Sequence, residues 1–255
     1  MNPTPRLSIS DPWCIFSFML RQATLDLLFP RCCGGCGGAA EPGGGHLCWD
    51  CRAELRPIGA PFCSLCGNPV EGRIDHVYTC FHCEESRPRF DRARSAVRFE
   101  GAITHLIRQF KYHHALWLQE ELVDLLQAAA VAHYEGLAWD AVCAVPLHHV
   151  RQRERGFNQA GLLADSLARR LSLPVRASGL VRRRATGTQT HLTARERLSN
   201  VKGAFEVRWA ARWRGLRLLL VDDVMTTGAT VSACAGALKD AGATSVHVIT
   251  LARGA

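Results

Sequence analysis

Lysine is scarce in this chain of 255 residues: 28 of its 31 basic residues are Arg. No Lys follows a Gly, so there is no Walker-type nucleotide loop. No apolar run approaches the roughly 20 residues that span a bilayer. The apolar stretch Trp13–Leu20 is too short, has Asp11 just before it, and lacks a small-residue cleavage site after it. A secretory signal and membrane insertion are therefore not expected. The expected compartment is the cytoplasm, where thiols stay reduced. Leu20, Ala23, Leu27 and Leu28 sit at helical spacing and predict a short amphipathic helix. Acidic residues are scarce in one place. Between Val145 and Arg217 there are 16 Lys/Arg against 4 Asp/Glu, while the rest of the chain is net acidic despite an overall charge of +8. Such a tract implies an anionic partner: phosphate, pyrophosphate or nucleic acid. Arg suits bidentate phosphate contacts; an arginine-favouring codon composition would give the same excess.

Cysteine is abundant, and ten of the 12 lie before residue 84. Eight fall into Cys33-Gly-Gly-Cys36, Cys48-Trp-Asp-Cys51, Cys63-Ser-Leu-Cys66 and Cys80-Phe-His-Cys83. Each Cys-x-x-Cys turn aims two thiolates at one point, and two turns complete a tetrahedral Zn²⁺ shell. Sites closed by four thiolates are structural, and so short a Gly- and Pro-rich segment needs such staples to fold. Consecutive pairing gives one zinc site from Cys33, Cys36, Cys48 and Cys51 and a second from Cys63, Cys66, Cys80 and Cys83. A cross-braced arrangement would exchange the partners. Cys14 and Cys32 are left over. His46, His76 and His82 are expected on the surface, and Cys143 and Cys234 in the core.

From about Phe90 the pattern changes to alternating helices and strands. Strands are expected over 93–99, 139–145, 216–221 and 245–251, with another opening at Pro174 and Val175. Helices are expected over 102–110, 116–133, 157–171 and 230–241. This alternation predicts an α/β domain with a mainly parallel sheet and flanking helices, whose ligands gather at the carboxyl ends of the strands. Three segments follow: 1–27 with the short helix, 28–89 with the zinc sites, and 90–255 with the sheet.

The stretch Leu218–Val231 (LLLVDDVMTTGATV) reads as a strand, two acids, a small-residue turn and a helix. Backbone N–H groups of Thr226, Thr227, Gly228, Ala229 and Thr230 form an anion-binding nest at a helix N-terminus. Asp222 and Asp223, expected to end the strand, repel phosphate but accept hydrogen bonds from a polyol. Phosphate beside vicinal hydroxyls describes a ribose 5-phosphate.

VDDVMTTGAT resembles the phosphoribosyl pyrophosphate (PRPP) motif of type I phosphoribosyltransferases. Further motifs narrow the resemblance to the ComF/GntX family: Pro146-Leu147 with Arg151, Arg155-Gly156-Phe157-Asn158-Gln159, and Arg184, Thr186, Gln189, Leu192, Arg197, Asn200 and Ala204-Phe205. Ile107–Tyr112 and Leu28-Phe29-Pro30 fit as well. The resemblance covers about residues 25 to 255. It implies a small zinc-ribbon domain followed by a phosphoribosyltransferase-like domain. It makes Asp222 and Asp223 the candidate catalytic pair on the ribose hydroxyls, and Thr226–Thr230 the 5-phosphate loop. Mg²⁺ would bridge pyrophosphate and ribose oxygens. Arg151, Arg155, Arg184, Gln189 and Arg197 would face pyrophosphate, the last three in a closing hood that also carries Arg195 and Lys202. Purine enzymes often carry an Asp at the first loop position, where this chain has Thr226. His191 in the hood is the remaining candidate base.

Two functions are expected from these features. One is Mg²⁺-dependent transfer of a phosphoribosyl group from PRPP to an unnamed acceptor, in the setting of DNA uptake and the competence machinery that the resemblance implies. The other is a non-catalytic accessory protein of natural transformation that binds single-stranded DNA and keeps a PRPP-sensing site. The scarcity of aromatics in the basic tract weakens a base-stacking platform there. Trp209 and Trp213, interleaved with Arg208, Arg212 and Arg214, are expected to pack beside the sheet.

Overall fold

The computed structural model describes residues 31–40, 45–184, 201 and 203–254. The N-terminal helix expected around Leu20–Leu28, Cys14, and most of the basic hood, including Gln189, His191, Arg195, Arg197 and Lys202, lie outside the described residues.

Four parallel strands form the central sheet in the order β1-β4-β3-β2. They are β1 (Arg92–Arg98), β2 (Ala141–Ala144), β3 (Arg217–Met225) and β4 (Ser245–Arg253). Val175 forms a single parallel bridge to Val142 at the free edge of β2, all that becomes of the strand expected there. A separate antiparallel ribbon pairs β5 (Leu180–Arg182) with β6 (Phe205–Val207). Because the side chains of a strand alternate between faces, β3 feeds two cores. Leu219 and Val221 join Ile249 and Leu251 in one apolar cluster; Leu218 and Leu220 join Val246 and Val248 in the other.

Helices cover both faces. On the first lie α3 (Ala102–Tyr112), α4 (Gln119–His133) and α6 (Gln159–Arg170). In α3, Ala102, Ile103, Leu106, Ile107 and Phe110 are buried at helical spacing, as expected of an amphipathic helix. On the second face lies α7 (Ala229–Asp240), with Val231, Cys234, Ala235 and Leu238 inward. The expected 157–171 helix begins at Gln159, after Asn158, because residues 149–155 form a separate helix, α5 (His149–Arg155), closed by Gly156. Cys143 and Cys234 are fully buried. Of the two tryptophans expected beside the sheet, Trp213 is buried and donates its indole N–H to the Arg208 carbonyl, 3.2 Å away. Trp209 is 55% exposed, with Arg212 over its ring. No helix among the described residues is long and apolar enough to cross a membrane.

The cysteine segments form two modules, one against each face. The first, with α1 (Trp49–Ala53), belongs to the α3/α4 cluster through Cys33, Leu47 and Cys51. The Glu121 carboxylate of α4 accepts the His46 backbone N–H at 2.5 Å and pairs with Arg52 at 3.5 Å. Glu54 accepts the Ala102 N–H that opens α3. The second module, with α2 (Phe81–Ser86), places Cys63, Cys66 and Cys83 in the α7 cluster. It extends along β1 by the bond from Ala93 N–H to the Leu65 carbonyl at 2.7 Å. Gly67 packs so closely there that a Cβ would lie 2.7 Å from the Ala93 carbonyl oxygen, and its φ of +66° is one that glycine tolerates best.

Candidate functional site

Each cysteine module gathers four thiols whose sulfurs lie within 4.8 Å of one another: Cys33, Cys36, Cys48 and Cys51 in one, Cys63, Cys66, Cys80 and Cys83 in the other. The pairing is consecutive, not cross-braced. Cys36 Sγ lies 3.7 Å from Cys48 Sγ, and Cys66 Sγ 3.7 Å from Cys80 Sγ. A tetrahedron with Zn–S bonds near 2.3 Å has edges of about 3.8 Å, whereas a disulfide closes to about 2 Å. Backbone N–H groups point at the sulfurs: Cys48 and Gly35 at Cys33, Gly38 at Cys36, Cys80 at Cys63. Burial pushes the Cys33 thiol up, but these donors outweigh it and bring it down to about 6, favouring the thiolate a metal needs. Both tetrads fit structural Zn²⁺. Cys32 stays outside the first tetrad, exposed and bridged to Ala39.

The two acids do not end β3. The strand runs on to Met225, because β4 continues alongside it and pairs Val224 with Ala252 and Met225 with Arg253. Asp222 and Asp223 therefore sit within the ladder, and the alternation that divides the two cores divides them as well. Asp223 follows Leu219 and Val221 to the first face. There it is buried, and its Oδ1 is 2.8 Å from Lys111 Nζ of α3 and 2.6 Å from the Val224 N–H. Its Oδ2 is buried and finds no hydrogen-bond donor among the described residues, and an unpaired buried acceptor costs energy. Asp222 follows Leu218 and Leu220 toward α7, where Arg182 of β5 is among the charges acting on it. Loss of hydration, then the charge of Asp223, pushes the Asp222 carboxyl up to about 8.

Asp222 and the loop meet in one place. A cavity of about 40 Å³ is lined by Asp222 and Val224–Val231, room for a phosphate-sized group. Gly228 takes φ +78° as the N-cap of α7, so the chain turns sharply into the helix one residue earlier than expected. Thr227 Oγ1 accepts the Ala229 N–H at 3.4 Å, and the Gly254 N–H donates to the Met225 carbonyl at 2.9 Å. Asp223 is not in that lining. The structure thus brings Asp222 together with Thr226–Thr230 and sets Asp223 apart, held by Lys111.

The arginines are distributed unevenly. Arg151 and Arg155 lie on α5, beyond the carboxyl end of β2. Arg155 donates to the Gln159 side chain at 2.5 Å and lies over the Tyr112 ring. Arg184 is exposed, just past β5. Sequence reasoning passed over Arg182, which is half-buried on β5 with its guanidinium over Phe205. In the run Arg182-Arg183-Arg184, two-residue alternation was the available signal: Arg183 turns out to Glu206, and Arg182 turns in. Lys111 lies unremarked inside the Ile107–Tyr112 motif, 112 residues before Asp223. His82, expected on the surface, is half-buried, its Nε2 2.9 Å from the Thr227 carbonyl oxygen. A second cavity, of about 570 Å³, lies between α5, α6 and residues 175–183, with Arg176, Arg182, Arg183 and Arg208 in its wall.

Comparison with known proteins agrees with this two-part architecture. Residues 24–84 match the double zinc ribbon domain, and residues 158–255 match the phosphoribosyl transferase domain. The chain is 31% identical to competence protein F of Haemophilus influenzae over 87% of its length and 96% of that protein's. It is 32% identical to the DNA utilization protein YhgH of Escherichia coli K12, over 81% and 96% of the two chains. Among solved structures, the glutamine PRPP amidotransferase of B. subtilis aligns over 51% of this chain and 25% of its own, at 23% identity and a TM-score of 0.35. With both domains matched and these relatives spanned almost end to end, this chain belongs to the ComF/GntX family, a double zinc ribbon joined to a phosphoribosyltransferase domain.

Proposed function

We propose that this protein binds PRPP with Mg²⁺ at the carboxyl edge of β3 and transfers its phosphoribosyl group to an acceptor, in the cytoplasm, as part of the handling of DNA taken up by the cell. One observation carries the reading: a single phosphate-sized cavity holds both the Asp222 carboxylate and the whole Thr226–Thr230 loop. The loop N–H groups and the N-terminus of the 12-residue α7 bind the 5-phosphate. Asp222 beside them accepts a hydrogen bond from a ribose hydroxyl. Asp223, buried on the other face and paired with Lys111, holds the strand behind Asp222 in place. Arg151, Arg155 and Arg184 supply positive potential on the pyrophosphate side; Gln189 and Arg197, expected to join them, lie outside the described residues. Bound Mg²⁺ supplies charge neutralisation to the pyrophosphate. The bond from ribose C1 to the pyrophosphate oxygen breaks as the acceptor bonds to C1, and pyrophosphate leaves. The arginine-walled cavity beside β2 has the size to admit an acceptor.

The test is pyrophosphate release from PRPP across a screen of bases, amines and nucleic acids. Wild type should release it with one of them, and Asp222→Asn with Asp223→Asn should not. No release with any acceptor offered would refute transfer.

A second reading, single-stranded DNA binding with the pocket kept as a PRPP sensor, is favoured by the exposed Trp209 with Arg212 over its ring and Arg208 beside it. It also suits relatives named for competence and DNA utilization. This reading predicts single-strand affinity that falls steeply with salt and survives the two Asp changes. No binding at low salt would sink it.

A further inference from the structure

We infer that the second zinc module positions the phosphate loop, acting through His82. His82 sits between two cysteines of one tetrad, Cys80 and Cys83, so its backbone is fixed at both ends when those sulfurs hold a metal. Its Nε2–H donates to the Thr227 carbonyl, 2.9 Å away, across 145 residues of chain. In a trans peptide the C=O and N–H point in opposite directions. Pinning the Thr227 carbonyl toward the module therefore turns the Gly228 N–H away from it, leaving that donor to the cradle.

The same module grips the loop's supports. Phe90, the first residue past the module, lies 3.6 Å from where a Cβ on Gly228 would stand, closing the outer side of the turn. The Arg89 N–H donates to Ser232 Oγ in the first turn of α7, and the Arg89 guanidinium pairs with Asp240 at the helix end. From β4, beside β3, Arg253 reaches Asn68 Oδ1 at 3.2 Å and Cys66 Sγ at 3.6 Å. The first module's bonds through Glu54 and Glu121 go instead to α3 and α4.

This inference deepens the PRPP reading, and its test has one arm that needs no ligand. His82→Ala, His82→Gln and, as a control, the exposed neighbour Phe81→Ala are compared with wild type by zinc content, by hydrogen exchange of residues 226–230 in the ligand-free protein, and by calorimetry with PRPP and Mg²⁺. In His82→Ala, loop exchange should speed up and PRPP affinity fall, each by about 3- to 10-fold, the size of one lost neutral hydrogen bond. Zinc should stay at the wild-type level, His82→Gln should recover most of the loss, and Phe81→Ala should match wild type. Loop exchange in His82→Ala equal to wild type, or an equal change in Phe81→Ala, would overturn the inference. If wild type binds no PRPP, the PRPP reading fails and the exchange arm still decides the role of His82.

Discussion

The two zinc modules share a ligand set and differ in what they hold. Each is a tetrad of two Cys-x-x-Cys turns, and each packs on one face of the sheet. The first docks on the helical layer, with the buried Glu121 of α4 bonded to His46 and Arg52. The second docks on the site: it touches the Thr227 carbonyl, the first turn of α7 and Arg253 at the end of β4. On the inference drawn above, the same metal chemistry stabilises the fold in one place and the shape of the Thr226–Thr230 loop in the other.

That contrast breaks or stands on cysteine variants, where the largest effect is expected. Cys83→Ser should lower zinc from about two to about one per chain and abolish PRPP binding. Cys36→Ser should lower zinc equally yet leave PRPP affinity within about threefold, less than a typical hydrogen bond is worth. Equal losses of affinity would erase the distinction. Smaller in effect, Lys111→Met tests the first-face side of the site. It leaves the Asp223 charge buried without its ion partner, so unfolding should become easier by about 3–5 kcal/mol in denaturant titration. A loss below about 1 kcal/mol, the worth of an exposed pair, would mean that the pair is effectively solvated.

A third effect concerns Asp222 and pH. Its carboxyl titrates near 3.8 unperturbed and is raised to about 8 in the fold. The folded protein therefore binds the proton more tightly than the unfolded chain. The stability this proton confers is complete below about pH 3.8 and is lost as pH rises through about 8. Asp222→Asn, always neutral, should raise the thermal midpoint relative to wild type most at pH 9, less at pH 5, and little below about pH 4. A midpoint difference that does not depend on pH would contradict the burial argument.

Much of this was written in local spacing. The Cys-x-x-Cys intervals name the tetrads, and the alternation of elements predicts the parallel sheet, because thiolate geometry and apolar periodicity act over a few residues. Asp222 with Thr226–Thr230 was legible for the same reason. What spacing does not carry is tertiary. β3 runs past the acids only because β4 lies alongside, so Asp222 and Asp223 face opposite sides where adjacency suggested a joined pair. Lys111 meets Asp223 and His82 meets Thr227 across more than 100 residues, with no local pattern to mark either. Lysine's rarity in an arginine-rich chain was the one faint signal for Lys111.

Calorimetry of PRPP with Mg²⁺ tests the central claim most directly. Wild type should bind one PRPP per chain, and at pH 9, where the Asp222 carboxyl is ionised, Asp222→Asn should weaken that binding by about 10-fold or more, as expected on losing a hydrogen bond to a charged group. A wild-type protein that binds no PRPP, or an Asp222→Asn variant that binds it as tightly as wild type, would contradict the account.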